Sequence, residues 1–360
     1  MMMHWYQMMY LHPREVILSN RSTIKDVAIE AGVGTATVDR VLNGRGVVRE
    51  ETMRKVAEAA HRVGYHASTL IDQRLATSVP EMTFGFVLHK GKQKFYQNFA
   101  NEIEKAVAER RDIRGRAIIR FAASQSPDAF LKELSEIKPK VDAFASSAVN
   151  HQSITQEIRQ LKNDGIPSFA LLNDFAQGVR ENYLGLNNMQ VGRLSGWMTT
   201  TAAQSPGKLA VFVGGNRWHG HELRETGYRS YVRDSAPDFT VLDTLVNLET
   251  RQLTYEATLN LLERHPDLRG IYLAGGGMEG AIAALRETVP PRHVALVVNE
   301  LTDDSRAGLA DGYVTMVIST PLRRLCRDMV EMMVNAVHNG TSEVVGQHFL
   351  QPDLFLPESF

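Results

Sequence analysis

Three hundred and sixty residues, 43% of them hydrophobic, exceed one ordinary core and exclude a disordered chain; they suit two or three domains. Forty Lys and Arg against 41 Asp and Glu leave a formal charge of −1, which excludes a wholly basic nucleic-acid coat but not a local basic face. One cysteine, Cys326, excludes an internal disulfide framework and points to a reducing cytoplasm. No uncharged apolar stretch reaches the roughly 18 residues that span a bilayer, so a soluble chain with no membrane partner is expected.

Residues 1–20 are rich in Met and aromatics, but their longest aliphatic run is Val16-Ile17-Leu18, too short for the apolar centre of a signal peptide. A disordered extension is expected there. Helical structure begins at Thr23-Ile24-Lys25-Asp26, which has the form of a capping box, followed by Val27, Ala28 and Ala31 on one apolar face. That helix stops at Gly32. A second runs from Gly34 to Asn43 with Val38, Val41 and Leu42 inward, and the short Gly32-Val33-Gly34 break suits two helices meeting at a steep angle. A third, Glu50 to Val63, turns Met53, Val56, Ala57 and Ala60 toward the others. Residues 21–75 hold nine Lys/Arg against seven Asp/Glu, so this module is mildly basic. On periodicity alone it is either a helix-turn-helix DNA-binding unit or a three-helix bundle of any purpose.

From Thr83 onward, short apolar runs alternate with helical patterns. Strands are expected at Phe84 to Leu88, Ala117 to Phe121, Ala143 to Ser146, Ser168 to Leu172, Leu209 to Val213, Ile271 to Ala274, Val294 to Val298 and Val314 to Ser319. Between them lie amphipathic stretches such as Phe95 to Glu109, Phe130 to Ile137, Val191 to Thr200 and Tyr255 to His265. This alternation predicts right-handed βαβ units in parallel sheets, and about 280 residues of it suit two sheets better than one.

Thr23-Ile24-Lys25-Asp26-Val27-Ala28, Ala31-Gly32-Val33, Thr37-Val38, Arg40-Val41-Leu42-Asn43 and Gly64-Tyr65 together resemble the DNA-binding headpiece of the lac repressor family. The rest of the chain is similar to that family's effector domain, itself similar to periplasmic sugar-binding proteins. The resemblance implies an all-α helix-turn-helix headpiece joined to an α/β two-lobed domain with parallel sheets. The expected divisions are 1–20 extension, 21–67 helix-turn-helix domain, 68–80 hinge helix and linker, and 81–360 two-lobed effector-binding and dimerisation domain. It further implies three chain crossings between lobes, near residues 206, 302 and 345, and a homodimeric transcription regulator, a repressor, bound to a palindromic operator.

In such a headpiece the recognition helix lies in the major groove, with Thr35, Ala36 and Arg40 at base edges and Arg40 able to grip guanine through two bonds. Lys25, Arg45, Arg49 and Thr52 are placed to touch phosphates, and Thr23 and Asn43 complete the implied contact set. Gly34 stands where the family usually has a capping Ser, and Asp39 where it usually has a further Ser; Asp39 is expected to pair with an Arg or narrow operator choice. Ser68 to Leu75 resembles the family's hinge helix, capped by Ser68, with Leu75 matching the residue wedged into the minor groove. Ala67 stands where the family often has Pro.

Ligands of open parallel sheets bind at the carboxyl ends of strands. A sugar or polyol needs planar hydrogen-bonding groups and aromatic faces. The resemblance assigns these to Phe95, Tyr96, Asn173, Asp174, Asn187, His221, Arg224, Gly275, Gly276, Glu300 and Thr320. Relatives often carry Asn-Asp at Gly275-Gly276, Asp at Glu300 and Gln at Thr320. Gly275-Gly276-Gly277-Met278-Glu279-Gly280 is also formally a dinucleotide fingerprint, with Glu300 at the distance of its ribose-binding acid, so a nicotinamide-dependent oxidoreductase or redox sensor is the rival. His219-Gly220-His221-Glu222 raises a zinc reading, set aside for want of further ligands. With no nucleophile elbow, Walker loop or Cys-x-x-Cys, neither an enzyme nor a cofactor is expected.

Overall fold

The computed structural model describes residues 21–46, 48–215, 217–342 and 346–360, and within them all side chains but those of residue 73 and residues 75–78. The expected extension over 1–20 and the side chain of Leu75 lie outside the described residues. The chain divides into two compact units, one ending at Pro80 and the other spanning Glu81–Phe360.

The first unit is helical. α1 (Ile24–Ala31) starts where the Thr23 hydroxyl accepts the Asp26 N–H and the Asp26 carboxylate accepts the Thr23 N–H at 2.7 Å. It ends at Gly32, whose φ of 66° is the left-handed conformation glycine tolerates. α2 (Thr35–Asn43) has Gly34 as its N-cap with no side-chain bond. α3 (Glu50–Arg62) and α4 (Ser68–Ser78) complete the unit. Val27, Val38, Val56 and Ala60 are fully buried in one core. Ile71 of α4 is buried with them, so α4 packs as a fourth helix of the headpiece. The N-cap of α4 is Ala67 and not Ser68, which is already helical; the helix begins without a side-chain cap.

The second unit begins with β1 (Glu81–His89), α5 (Lys94–Ala108), β2 (Arg114–Ala122), α6 (Pro127–Ile137), β3 (Ala143–Ser146), α7 (Gln152–Asn163), β4 (Ser168–Leu171) and β5 (Asn182–Leu186). It continues with α8 (Asn188–Ala202), β6 (Lys208–Val213), α9 (His219–Ser235), β7 (Thr240–Val241), β8 (Leu245–Val246), α10 (Arg251–Arg264), β9 (Leu268–Leu273), α11 (Met278–Thr288), β10 (Ala295–Asn299), α12 (Asp303–Ala310) and β11 (Met316–Ser319). α13 (Leu322–Asn339), β12 (Gly346–Leu350) and β13 (Asp353–Phe355) close it. Two sheets result, ordered β12-β5-β4-β3-β1-β2 and β13-β11-β10-β9-β6-β7, with β8 also on β6. Every pairing is parallel except that of β13 with β11. Each sheet carries its own core, one around Phe130, Phe144 and Ile158, the other around Phe212, Ile271 and Leu296. The unit is two lobes.

The crossings differ from expectation. α8 packs on α9, β9 and β10, so the chain enters the second lobe at Asn187, before α8, and not near 206. β11 still pairs in the second sheet while α13 packs on α5 and β3, which puts the return at Thr320-Pro321 and not near 302. The third crossing lies between β12 and β13, at Gln351-Pro352.

Candidate functional site

On the headpiece, the face of α2 opposite Val38, Val41 and Leu42 carries Thr35, Ala36, Arg40 and Asn43, all exposed. Lys25, Arg45 and Arg49 are exposed as well, and Thr52 is half-buried. Arg54, Lys55 and Arg62 on α3 are paired with Glu50, Glu51 and Glu30 at 2.7 to 2.8 Å. Lys25, Arg40, Arg45 and Arg49, by contrast, appear in no ion pair among the described residues. Charge is thus neutralised on α3 and left free around α2, as a phosphate-contacting surface requires. Asp39 does not pair with an Arg: it accepts a 2.7 Å bond from Asn43 one turn on, which also ties the Asn43 amide.

The cleft between the lobes of the second unit lies at the carboxyl ends of the strands and holds a cavity of about 230 Å³. Several residues there have left-handed backbone, uncommon for side chains with a Cβ: Lys90 after β1, Leu172 after β4, Leu248 and Glu249 after β8, and Glu300 after β10. Such conformations persist only where surrounding contacts hold them, and they cluster at binding sites.

Of the expected contacts, Phe95, Tyr96, Asn173, His221, Arg224, Gly275, Gly276, Glu300 and Thr320 line the cavity. Asp174 and Asn187 do not. Asp174 is buried against Arg180, which grips both carboxylate oxygens at 2.6 and 2.8 Å. The Asn187 side chain accepts the Gln190 N–H and caps α8, while its neighbour Asn188 lines the cavity instead.

Most of these groups are fixed by the chain itself. Arg224 donates from Nε to Asn188 Oδ1 and from Nη1 to the Ala274 carbonyl, both at 2.7 Å. The Glu300 carboxylate accepts from the Thr320 hydroxyl at 2.7 Å and the Thr320 N–H at 3.0 Å. Burial raises the Glu300 carboxyl above its usual range, opposed by Thr320 and the Arg224 charge. The Gly214 N–H donates to His221 Nδ1 at 3.1 Å, which leaves the ring proton on Nε2. Burial holds His221 down at about 4, so the ring is a neutral donor at physiological pH.

Among the lining residues that no sequence signal singled out are Asn188, Trp218, Glu249 and Asn299. Asn299 precedes Glu300 on β10 and is buried with its Oδ1 atom unpartnered. Glu249 is ion-paired with Lys90. Burial pushes its carboxyl up, but Lys90 and His221 outweigh that and hold it at about 2. No motif marks it, since its place depends on a turn that brings β8 beside β6.

The glycine motif serves packing. A Cβ at Gly277 would lie 2.3 Å from Thr254 Oγ1, at Gly280 2.1 Å from the Arg251 carbonyl, and at Gly275 2.6 Å from the His221 ring. The Gly276 N–H donates to Glu249 at 3.0 Å, so a carboxylate of the chain itself occupies the start of α11, where a pyrophosphate would sit. These findings overturn the nicotinamide alternative. His219 lies near Glu222 on α9 while His221 faces Glu249, and no group of three or more metal-binding side chains converges among the described residues.

A helical DNA-binding face and a two-lobed ligand cleft define a ligand-responsive regulator. The chain belongs to the lacI family of bacterial regulatory proteins, with residues 23–68 matching that family and 84–341 the periplasmic binding protein domain. It is a DNA-binding transcriptional regulator whose effector domain has the fold of sugar-binding proteins. Among relatives, the HTH-type transcriptional regulator GalS of Salmonella typhimurium is 22% identical over 92% of this chain and 94% of its own. DegA of Bacillus subtilis is 27% identical over 68% and 71%, and Catabolite control protein A of Priestia megaterium 32% over 40% and 42%. In structure, the chain is similar to an ABC transporter periplasmic solute binding protein from Actinobacillus succinogenes with bound D-allose. That likeness has TM-score 0.70 and 16% identity over 77% of this chain and 98% of the other. GanP, a glucose-galactose binding protein from Geobacillus stearothermophilus, has TM-score 0.68 and 17% identity over 77% and 98%.

Proposed function

We propose that this regulator is a cytoplasmic, non-catalytic repressor that binds a palindromic operator as a homodimer and responds to a small sugar or polyol held in the cleft. One observation carries the effector reading. Phe95 and Tyr96 from one lobe face Arg224, Asn299 and Glu300 from the other across a cavity of about 230 Å³, and these polar groups are held in place by their own chain. Aromatic faces cover the C–H surface of a sugar ring while planar donors and acceptors take its hydroxyls. The unpartnered Asn299 Oδ1 supplies an acceptor for one such hydroxyl, since a buried acceptor without a partner costs about 1–3 kcal/mol. The D-allose bound to one similar solute-binding protein, and the glucose-galactose binding for which the other is named, support the same chemistry.

The operator reading rests on the free cations around α2, with Arg40 as the base reader, and the residues expected at DNA keep those roles: Thr23, Lys25, Thr35, Ala36, Asn43, Arg45, Arg49, Thr52 and Leu75. The test joins both halves. A panel of monosaccharides and polyols is screened by thermal shift, and each hit is titrated into protein bound to an operator selected from random DNA. Stabilisation and altered operator affinity from the same compound, both lost in Arg224→Ala, are expected. Operator binding that no such compound alters would refute the effector assignment.

A further inference from the structure

Two of the contacts between the lobes flank the cavity and are themselves joined. At one, Lys90 at the end of β1 is ion-paired with Glu249 after β8, with side chains 15% and 11% exposed; it is the one ion pair between the lobes among the described residues. At the other, Trp218 leaves the second lobe on the loop before α9 and is buried in the first lobe's core beside Phe130 and Phe175. Gln125, after β2, joins the two: its Oε1 accepts from Trp218 Nε1 at 3.0 Å and its Nε2 donates to Glu249 at 3.4 Å. Glu249 also accepts the Gly276 N–H at 3.0 Å and lies 3.8 Å from His221 Nε2, so the cavity wall and the inter-lobe contact share one carboxylate.

Lys90, Leu248 and Glu249 have φ of 53°, 51° and 55°. Left-handed backbone thus lies on both sides of one ion pair, a conformation that persists only where surrounding contacts hold it. A buried pair has its desolvation offset mainly by its partner, and removing one charge leaves the other exposed to the full penalty. Separation of the lobes relieves that penalty by rehydrating the remaining charge.

We infer that Lys90 and Glu249, coupled through Gln125 to Trp218, form a charge latch that favours the closed arrangement of the lobes by itself and sets effector affinity through closure. The latch belongs to the chain; only its role in effector response rests on the proposed function. Neither charge need touch the effector for this, because a state that is more populated before binding binds more tightly in proportion.

The experiment measures a distance across the cleft in the full chain with no ligand added. Spin labels are placed on cysteines introduced at the exposed residues Ala123 in the first lobe and Gln252 in the second; native Cys326 is fully buried and stays unlabelled. The expected wild-type result is one narrow distance. Lys90→Met and Glu249→Gln should each shift the distribution to longer distances, and the charge-swapped pair Lys90→Glu with Glu249→Lys should restore it. Single variants with the wild-type distance overturn the latch, as do opened single variants that the swap fails to restore. If a single variant does not fold, the swap decides alone: the wild-type distance supports the latch, and a longer distance or an unfolded chain overturns it. Failure of every sugar to bind would refute the effector reading and leave this distance unchanged.

Discussion

Arg40 and Glu300 each stand in their sites without an ion-pair partner among the described residues, and the consequences run in opposite directions. Arg40 is exposed, so its charge costs nothing to keep and is available to a base edge. Arg40→Ala should cost about 1–3 kcal/mol of operator affinity and relax one symmetric base pair, as read by binding to an operator series substituted at each position. Equal loss on every sequence would make Arg40 a phosphate contact. Glu300 is half-buried, and the carboxyl raised by its desolvation means that folding disfavours the ionised form; its charge therefore costs stability at any pH above the carboxyl's unfolded range. Glu300→Gln should abolish the effector-induced thermal shift while the melting temperature of the free protein at pH 7 stays level or rises. A clear drop in that temperature would show that the bonds from Thr320 need a carboxylate for structural reasons.

At the scale of elements, α4 has two roles to account for. Ile71 fills the headpiece core, so Ile71→Ala should cost about 2–5 kcal/mol and raise hydrogen exchange in α1 to α3. Leu75→Ala should instead weaken operator binding and DNA bending with headpiece exchange unchanged; matching exchange increases would place Leu75 in the core too. Elements whose signal is local were legible in the sequence. The capping box at Thr23 and the glycine stop at Gly32 marked α1, and all eight expected strands occur, because buried parallel strands are short unbroken apolar runs. β5, β7, β8, β12 and β13 were not expected as strands; β7 and β8 are two residues each, and β12 and β13 sit at sheet edges with exposed residues that blur the pattern. The crossings were misplaced for another reason: α8 looks the same whichever sheet it covers, and only non-local packing decides. The same limit applied to the cleft. Strand-end polar residues such as Glu300 and Thr320 could be found, whereas the exchange of Asn187 for Asn188 turns on one helix cap.

Across the whole molecule, buried ionisable groups near the cleft tie the effector domain to pH. His89 sits between Phe130 and Trp218, and burial lowers it to about 4, as it does His221. An unfolded histidine takes up its proton near pH 6.5, so between about 6.5 and 4 the unfolded chain binds more protons, and stability must fall as pH falls. Each histidine contributes on the order of 3 kcal/mol over that window, as an upper bound. Glu249, held at about 2 against an unfolded value of 4.5, adds a further loss only below about 4.5. Glu300 works the other way, its burial cost being relieved by protonation, and offsets part of the acid loss. Denaturant unfolding of the full chain at pH 7, 6 and 5 should therefore show falling stability of the effector domain. Replacing His89 by Phe and His221 by Gln should flatten that slope, since neither residue can take up the proton. A slope unchanged in the double variant would mean that the two histidines are protonated or hydrated in the folded protein, and that the closed cleft does not exclude water as its packing implies.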